Sequence, residues 1–127
     1  MALDPTDPPV LAFTAERHLA TLTTLRADGS PHVVAVGFSF DAAAGVARVI
    51  TFPAAVKARN AARGGRAAVS QVDGGRWLTM EGPVRLVIDP EGVAAAVAGY
   101  AARYGAPRQR PDRVAIEIAV DRVLGRV

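Results

Sequence analysis

The sequence predicts a mainly β (α+β) fold: a small antiparallel barrel of six strands with two inserted helices. Three observations carry that reading. Short runs rich in Val, Ile, Leu and Thr recur along the chain, bounded by Gly, Asp and Pro. They do not alternate regularly with helices, which argues against a parallel βαβ architecture. Two alanine-rich stretches, each opening near a proline and closing on glycine, are the only long helical patterns between strands. A chain of 127 residues makes one domain. Its proline-rich residues 1–9 are expected to be a flexible N-terminal arm, and residues 10–127 the barrel.

Taken in order, the barrel begins with a short helix from Val10 to His18, where the histidine caps or packs. Leu19 to Arg26 alternates leucine with alanine or threonine, the pattern of a half-buried strand. Asp28 and Gly29 supply the positive φ of a tight hairpin. Pro31 to Phe40 is the returning strand, with proline at the first position, where a missing N–H is tolerated. A second turn at 41–45 leads into the β-branched strand Val46 to Phe52.

Pro53 then suits a first helical position, and helix formers run to Gly64. Arg66 to Val72 is a fourth strand and Arg76 to Ile88 a long fifth, interrupted by Gly82 and Pro83 as at a barrel corner. A second helix starts at Asp89, with acidic residues in its first turn, and ends at Gly105. After a basic loop (residues 108–113), Val114 to Leu124 is the sixth strand.

Composition narrows the function. Cysteine is absent, which excludes disulfides and thiolate metal sites, and two histidines are too few for a His-rich zinc site. A metal is therefore not expected. The net charge is +3 with no basic run of five or six, so nucleic acid is not the expected partner. No apolar run reaches membrane-spanning length and no secretory leader is visible, so a cytoplasmic protein is expected. Nothing resembles a Ser–His–Asp arrangement, a catalytic carboxylate pair or a nucleophilic cysteine.

The stretch that carries chemistry runs from Val46 to Gly65 as strand, turn and helix. Lys57 is the only lysine among fifteen basic residues and falls in the first helical turn. Lys57 and Asn60 share a helix face by three-residue spacing, and Arg59 and Arg63 lie on another. An anion site made by Thr51, Lys57, Asn60 and Arg59 competes with an ordinary solvated helix, and no glycine-rich phosphate motif decides between them.

Longer motifs resemble a known family. The stretch from His18 to Phe38, the Lys57–Asn60 pair, the hairpin from Gln71 to Gly82, and Arg122 to Gly125 are similar to the split β-barrel flavin and deazaflavin oxidoreductases, which are related to pyridoxamine 5′-phosphate oxidase. Within it, Arg26 to Asp28, Pro31 to Phe38, Ala47 to Thr51, Gln71 to Gly74, and Arg103 with Tyr104 most resemble the group using coenzyme F420, in particular its biliverdin reductases. The resemblance implies an FMN-binding-type split barrel and a homodimer with the cofactor site at the subunit interface. It also implies hydride transfer from reduced F420 to a conjugated substrate, biliverdin or a similar tetrapyrrole; the alternatives are an FMN-dependent oxidase or reductase of the same fold and a flavin- or deazaflavin-binding protein without turnover of its own.

By the same resemblance, Pro31, His32, Val33, Val34 and Val36 would line the ring edge and Val49 and Ile50 would pack on it. Thr51, Lys57, Arg59 and Asn60 would hold the phosphate, and Trp77 would form a wall from the partner. His32 either donates a proton or faces the ring, and ordered water or an arginine is an equal proton source. Several relatives carry an arginine two residues before the lysine; here that residue is Ala55, so Arg59 or Arg63 is expected to replace it.

Overall fold

In the computed structural model, which describes residues 2–127, eight strands and three helices are built from those segments. Helix α1 is Pro8–Ala15. Strands β1 (Ala20–Leu25), β2 (Pro31–Val36), β3 (Ser39–Asp41) and β4 (Val46–Thr51) follow. Helix α2 (Val56–Ala62) leads to β5 (Arg66–Asp73) and β6 (Arg76–Val87). Helix α3 (Pro90–Tyr104) precedes β7 (Val114–Ala119) and β8 (Arg122–Arg126). Every strand pairing is antiparallel. The strands run in the order β2-β1-β5-β6-β7-β4-β3, with β8 also on β6.

The count is eight strands rather than six because two expected strands break, and each break has a cause. In the stretch from Pro31 to Phe40, Phe38 gives its backbone to side chains of α3. Its N–H donates to Tyr104 Oη at 3.2 Å, and its C=O accepts from Arg103 at 2.7 Å. Those groups are lost to the ladder, so β2 ends at Val36 and β3 begins at Ser39. The last strand breaks at Val120 and Asp121, whose N–H groups reach Gly45 O (2.9 Å) and Glu81 O (3.0 Å).

β2 and β3 are two residues apart in sequence yet occupy opposite ends of the strand order. The sheet must therefore curl until its two edges come near each other, which is a barrel split between β2 and β3. The long strand β6 serves both halves. Residues 77–81 pair with β8 and residues 84–87 with β7. Gly82 stands at the hand-over, as the interruption at Gly82–Pro83 suggested.

The helices begin and end differently from expectation. α1 starts at Pro8, inside the stretch expected as an arm, with proline in its first turn, and it stops before His18. Ala2 bridges to Leu124, and Leu3 N–H donates to Val123 O at 2.8 Å. Met1, the first residue of that expected arm, lies outside the described residues. Pro53 lies in a turn and does not open α2, which starts at Val56. Asp89 caps α3 by accepting from Gly92 N at 2.8 Å, and in the turn before β2 Gly29 has φ +85 whereas Asp28 does not take a positive φ.

The core is the inner face of the curled sheet. Leu22, Val69, Leu78, Met80, Ile116 and Ile118 are essentially inaccessible, and Phe13 of α1 and Phe38 close the cluster. Burying each such side chain contributes ~1.5–3 kcal/mol. Arg103 of α3 ties the end of α1, the β2–β3 link and β5 together through Glu16 O (2.8 Å), Phe38 O (2.7 Å) and Gln71 Oε1, while Gln71 donates to Phe13 O at 2.9 Å. Among the described residues no helix is long and apolar enough to cross a membrane.

Candidate functional site

Helix α2 lies against one end of the barrel, touching β1, β6 and β7. Small residues permit that approach, since Ala58 and Ala61 are buried flush against the sheet. Asn60 fixes the helix to the first hairpin: its amide donates to Thr24 Oγ1 at 3.0 Å. Its carbonyl accepts from Arg63 at 2.5 Å, and Arg63 also donates to Leu25 O at 3.0 Å. Asn60 and Arg63 are thus committed to holding α2 in place. Arg59 is exposed on the outer side of the helix.

On the other side of α2, a cleft of about 190 Å³ is lined by Ile50, Thr51, Phe52, Lys57, Arg110 and Arg113. Three strands of reasoning make it the best candidate for an anion. First, three of its six lining residues are cations and none is acidic. Second, Thr51 is only 7 % exposed and its Oγ1 has no hydrogen-bond partner. An unsatisfied buried hydroxyl costs ~1–3 kcal/mol, so a ligand oxygen that accepts from it is favoured. Third, Lys57 is a cation in the first turn of a helix, where the helix dipole opposes positive charge and an anion would relieve it.

Arg110 is held as a wall of this cleft. Its guanidinium lies 4.0 Å from the Phe52 ring centroid and its Nε donates to Asp112 at 2.6 Å. The same contact holds the Asp112 carboxyl below the usual carboxylate range. Past Arg110 and Arg113 the cleft opens onto a second depression of about 340 Å³ beside Val93 and Val97 of α3. Arg110, Arg113 and Phe52 are the residues that sequence reasoning missed. The basic loop was visible in the sequence, but its place beside Thr51 comes from the β4–β7 register, which sets Thr51 opposite Val114.

The remaining expected residues are distributed over two other surfaces. β2 is an edge strand, paired only with β1, so one row of backbone N–H and C=O groups from Pro31 to Val36 faces no strand. Along it Pro31 and Val33 point outward, and His32 and Val34 are half-buried. Among the described residues, His32 Nδ1 is the other buried side-chain polar atom without a partner. Val36 and Val49 are core residues rather than cleft residues, so only their backbone is available to a ligand. Ile50, half-buried, does line the cleft.

Trp77 is 38 % exposed and is not a buried core indole. It pairs with Val72, which is 65 % exposed, on the outer face of the sheet. By strand alternation that face also carries Val33 and Leu25. Leu19, just ahead of β1, is 69 % exposed. A sheet face this apolar is unusual on an isolated surface.

One titratable cluster lies elsewhere. Glu16, His18 and Asp73 bring ligand-type atoms within 4.8 Å of one another. Arg76 already fills that place, with both nitrogens 2.8 Å from Glu16 and a further contact to Asp73. The guanidinium and His18 hold the Glu16 carboxyl down at about 2. The cluster therefore acts as an ion-pair clamp between the end of α1 and the β5–β6 turn.

The model of the pyridoxamine 5′-phosphate oxidase family matches residues 6–126. An F420H(2)-dependent biliverdin reductase of Mycobacterium tuberculosis is 57 % identical over 115 residues, covering 91 % of this chain and 84 % of that protein. Among solved structures, an F420 reductase superposes with a TM-score of 0.71 at 28 % identity, over 89 % of this chain and 94 % of the other. A conserved hypothetical protein of Mycobacterium tuberculosis superposes with a TM-score of 0.80 at 22 % identity, over 98 % and 85 %. This last likeness shows the fold alone.

Proposed function

The chain belongs to the pyridoxamine 5′-phosphate oxidase family, and from that premise we propose that it is an F420-dependent oxidoreductase that reduces biliverdin to bilirubin. The observation that carries the reading is the 57 % identity to a relative with that activity over nearly the whole chain. The geometry supports it independently of the name. A phosphate-bearing cofactor needs an anion site, and Thr51 with Lys57 offers an unpaired buried hydroxyl beside a cation.

The bound deazaflavin supplies the hydride, and a proton completes the reduction of a conjugated carbon–carbon bond. The chain's own residues bind and orient. Thr51 and Lys57 hold the phosphate, and the free edge of β2 offers hydrogen bonds to the ring from Pro31 to Val36. Ile50, which lines the cleft, packs against the ring. Asn60 acts one step back, by fixing α2 and so the position of Lys57. His32, with Nδ1 buried and unpartnered, either donates the proton or faces the ring, with ordered water or an arginine as an equal proton source.

The cofactor assignment is tested by titrating the purified protein with F420 and with FMN. F420 is expected to bind far more tightly. Equal affinities, or FMN retained at full occupancy through purification, would replace the deazaflavin with a flavin.

The active form in this reading is a homodimer with the site at the subunit interface. Leu19, Val33, Val72 and Trp77 form the face that a second copy covers, and Trp77 becomes a wall of the partner's ring site. Light scattering at micromolar concentration is expected to give twice the 13.2 kDa chain mass. A single-chain mass would leave that apolar face without an occupant and overturn the interface.

A further inference from the structure

We propose that Arg113 is the second phosphate-binding cation of this site, taking the role that neither Ala55 nor the arginines of α2 fill. The inference rests on the reading that Thr51 and Lys57 hold a cofactor phosphate. A phosphodiester has two unesterified oxygens. Lys57 is a point charge that satisfies one direction, whereas a guanidinium fork addresses two acceptors at once.

The other arginines can be taken in turn. Arg63 spends its guanidinium on Leu25 O and Asn60 Oδ1, at 3.0 and 2.5 Å. Arg59 does not line the cleft. Arg110 does, but it is stacked on Phe52 and bonded to Asp112, so a ligand would have to compete with a carboxylate for it. Arg113 lines the same cleft, is half-buried, and makes no side-chain ion pair or hydrogen bond among the described residues.

Its position is fixed by backbone. Val114 pairs with Thr51 across the β4–β7 ladder, and Arg113 N–H closes a turn onto Arg110 O at 3.2 Å. Arg113 thus joins Thr51 and Lys57 in the lining of one cleft. In this proposal one cation comes from α2 and the other from the loop before β7, which supplies what is missing at Ala55.

The test compares two probes on the full chain: F420, and the same deazaflavin truncated ahead of its phosphate. Affinities are measured by fluorescence titration, and each variant's fold by circular dichroism melting. Arg113→Ala is expected to lose about ten- to a hundredfold in F420 affinity, the range for hydrogen bonds to charged groups, with the affinity for the truncated probe unchanged. Arg113→Lys should recover part of the loss, because it restores the charge but not the fork. Arg108→Ala, an exposed arginine of the same loop outside the cleft, should bind both probes like wild type.

Arg113→Gln keeps much of the side-chain stem and decides the matter if the alanine variant does not fold. A folded Arg113→Gln or Arg113→Ala protein with wild-type F420 affinity overturns the inference. If Lys57→Ala weakens F420 binding in the same series, the phosphate site stands and only Arg113 is wrong. If neither residue matters, the phosphate-site reading itself falls. Equal losses for both probes would make Arg113 a structural residue, not a phosphate ligand.

Discussion

Replacing Gly82 by alanine is expected to leave little folded protein. A Cβ at this position would sit 1.8 Å from Ala119 O, 2.8 Å from Ala119 C and 3.2 Å from Asp121 N. These are backbone atoms, so no side chain can rotate out of the way. They belong to the crossing between β7 and β8, which is pinned to β6 by the bond from Asp121 N to Glu81 O at 3.0 Å. Relief requires β6 to separate from the crossing at the point where it passes between the two halves of the barrel. Overpacking a core ordinarily costs ~1–3 kcal/mol. Here ladder hydrogen bonds to both halves of the barrel are at risk as well, against a total stability of ~5–15 kcal/mol. Gly75→Ala is the control, since nothing lies within 4 Å of its Cβ position and no positive φ is recorded there. Urea unfolding should show Gly75→Ala near wild type and Gly82→Ala strongly destabilised or insoluble. A wild-type midpoint for Gly82→Ala would mean that β6 does not make this crossing.

Lys57→Ala should weaken F420 binding by about 1.5–3 kcal/mol, roughly ten- to a hundredfold, the range for hydrogen bonds to charged groups. The fold should survive. Among the described residues Lys57 makes no ion pair, alanine is the better helix former, and a cation is removed from the positive end of a helix. The lost attraction is electrostatic, so wild-type affinity should fall with added salt more steeply than that of the variant. Titrations at low and high salt check both statements. A folded Lys57→Ala protein with wild-type affinity and salt dependence would remove the phosphate from this cleft.

Local pattern revealed most of the elements. The hairpin at Asp28–Gly29, the strand from Val46, the cap at Asp89 and the corner at Gly82 each carry their cause within a few residues. The strand breaks at Phe38 and Val120 do not. Phe38 leaves the ladder because Arg103 and Tyr104, far along the chain, take its backbone groups, and no local signal announces that. The start of α2 differs from the sequence expectation for a related reason: Pro53 is compatible with a first helical turn, but it sits instead in the turn that brings Ala55 N–H to Phe52 O.

The candidate site divides in the same way. Lys57 was legible because it is the single lysine and follows a strand. Asn60 was legible as a residue of interest, but its role depended on Thr24 and Arg63 being within reach. Arg110 and Arg113 belonged to a visibly basic loop. What placed them was the pairing of β4 with β7, a contact between distant parts of the sequence. Trp77 was singled out as the lone tryptophan, and its half-open setting beside Val72 comes from the β5–β6 register.

Mixing the purified protein with F420H2 and biliverdin under anaerobic conditions, and following both chromophores, tests the proposed hydride transfer. The two should disappear together, mole for mole, with bilirubin formed, and biliverdin should persist when the protein is omitted. Biliverdin left intact by a folded protein that binds F420H2 would contradict it.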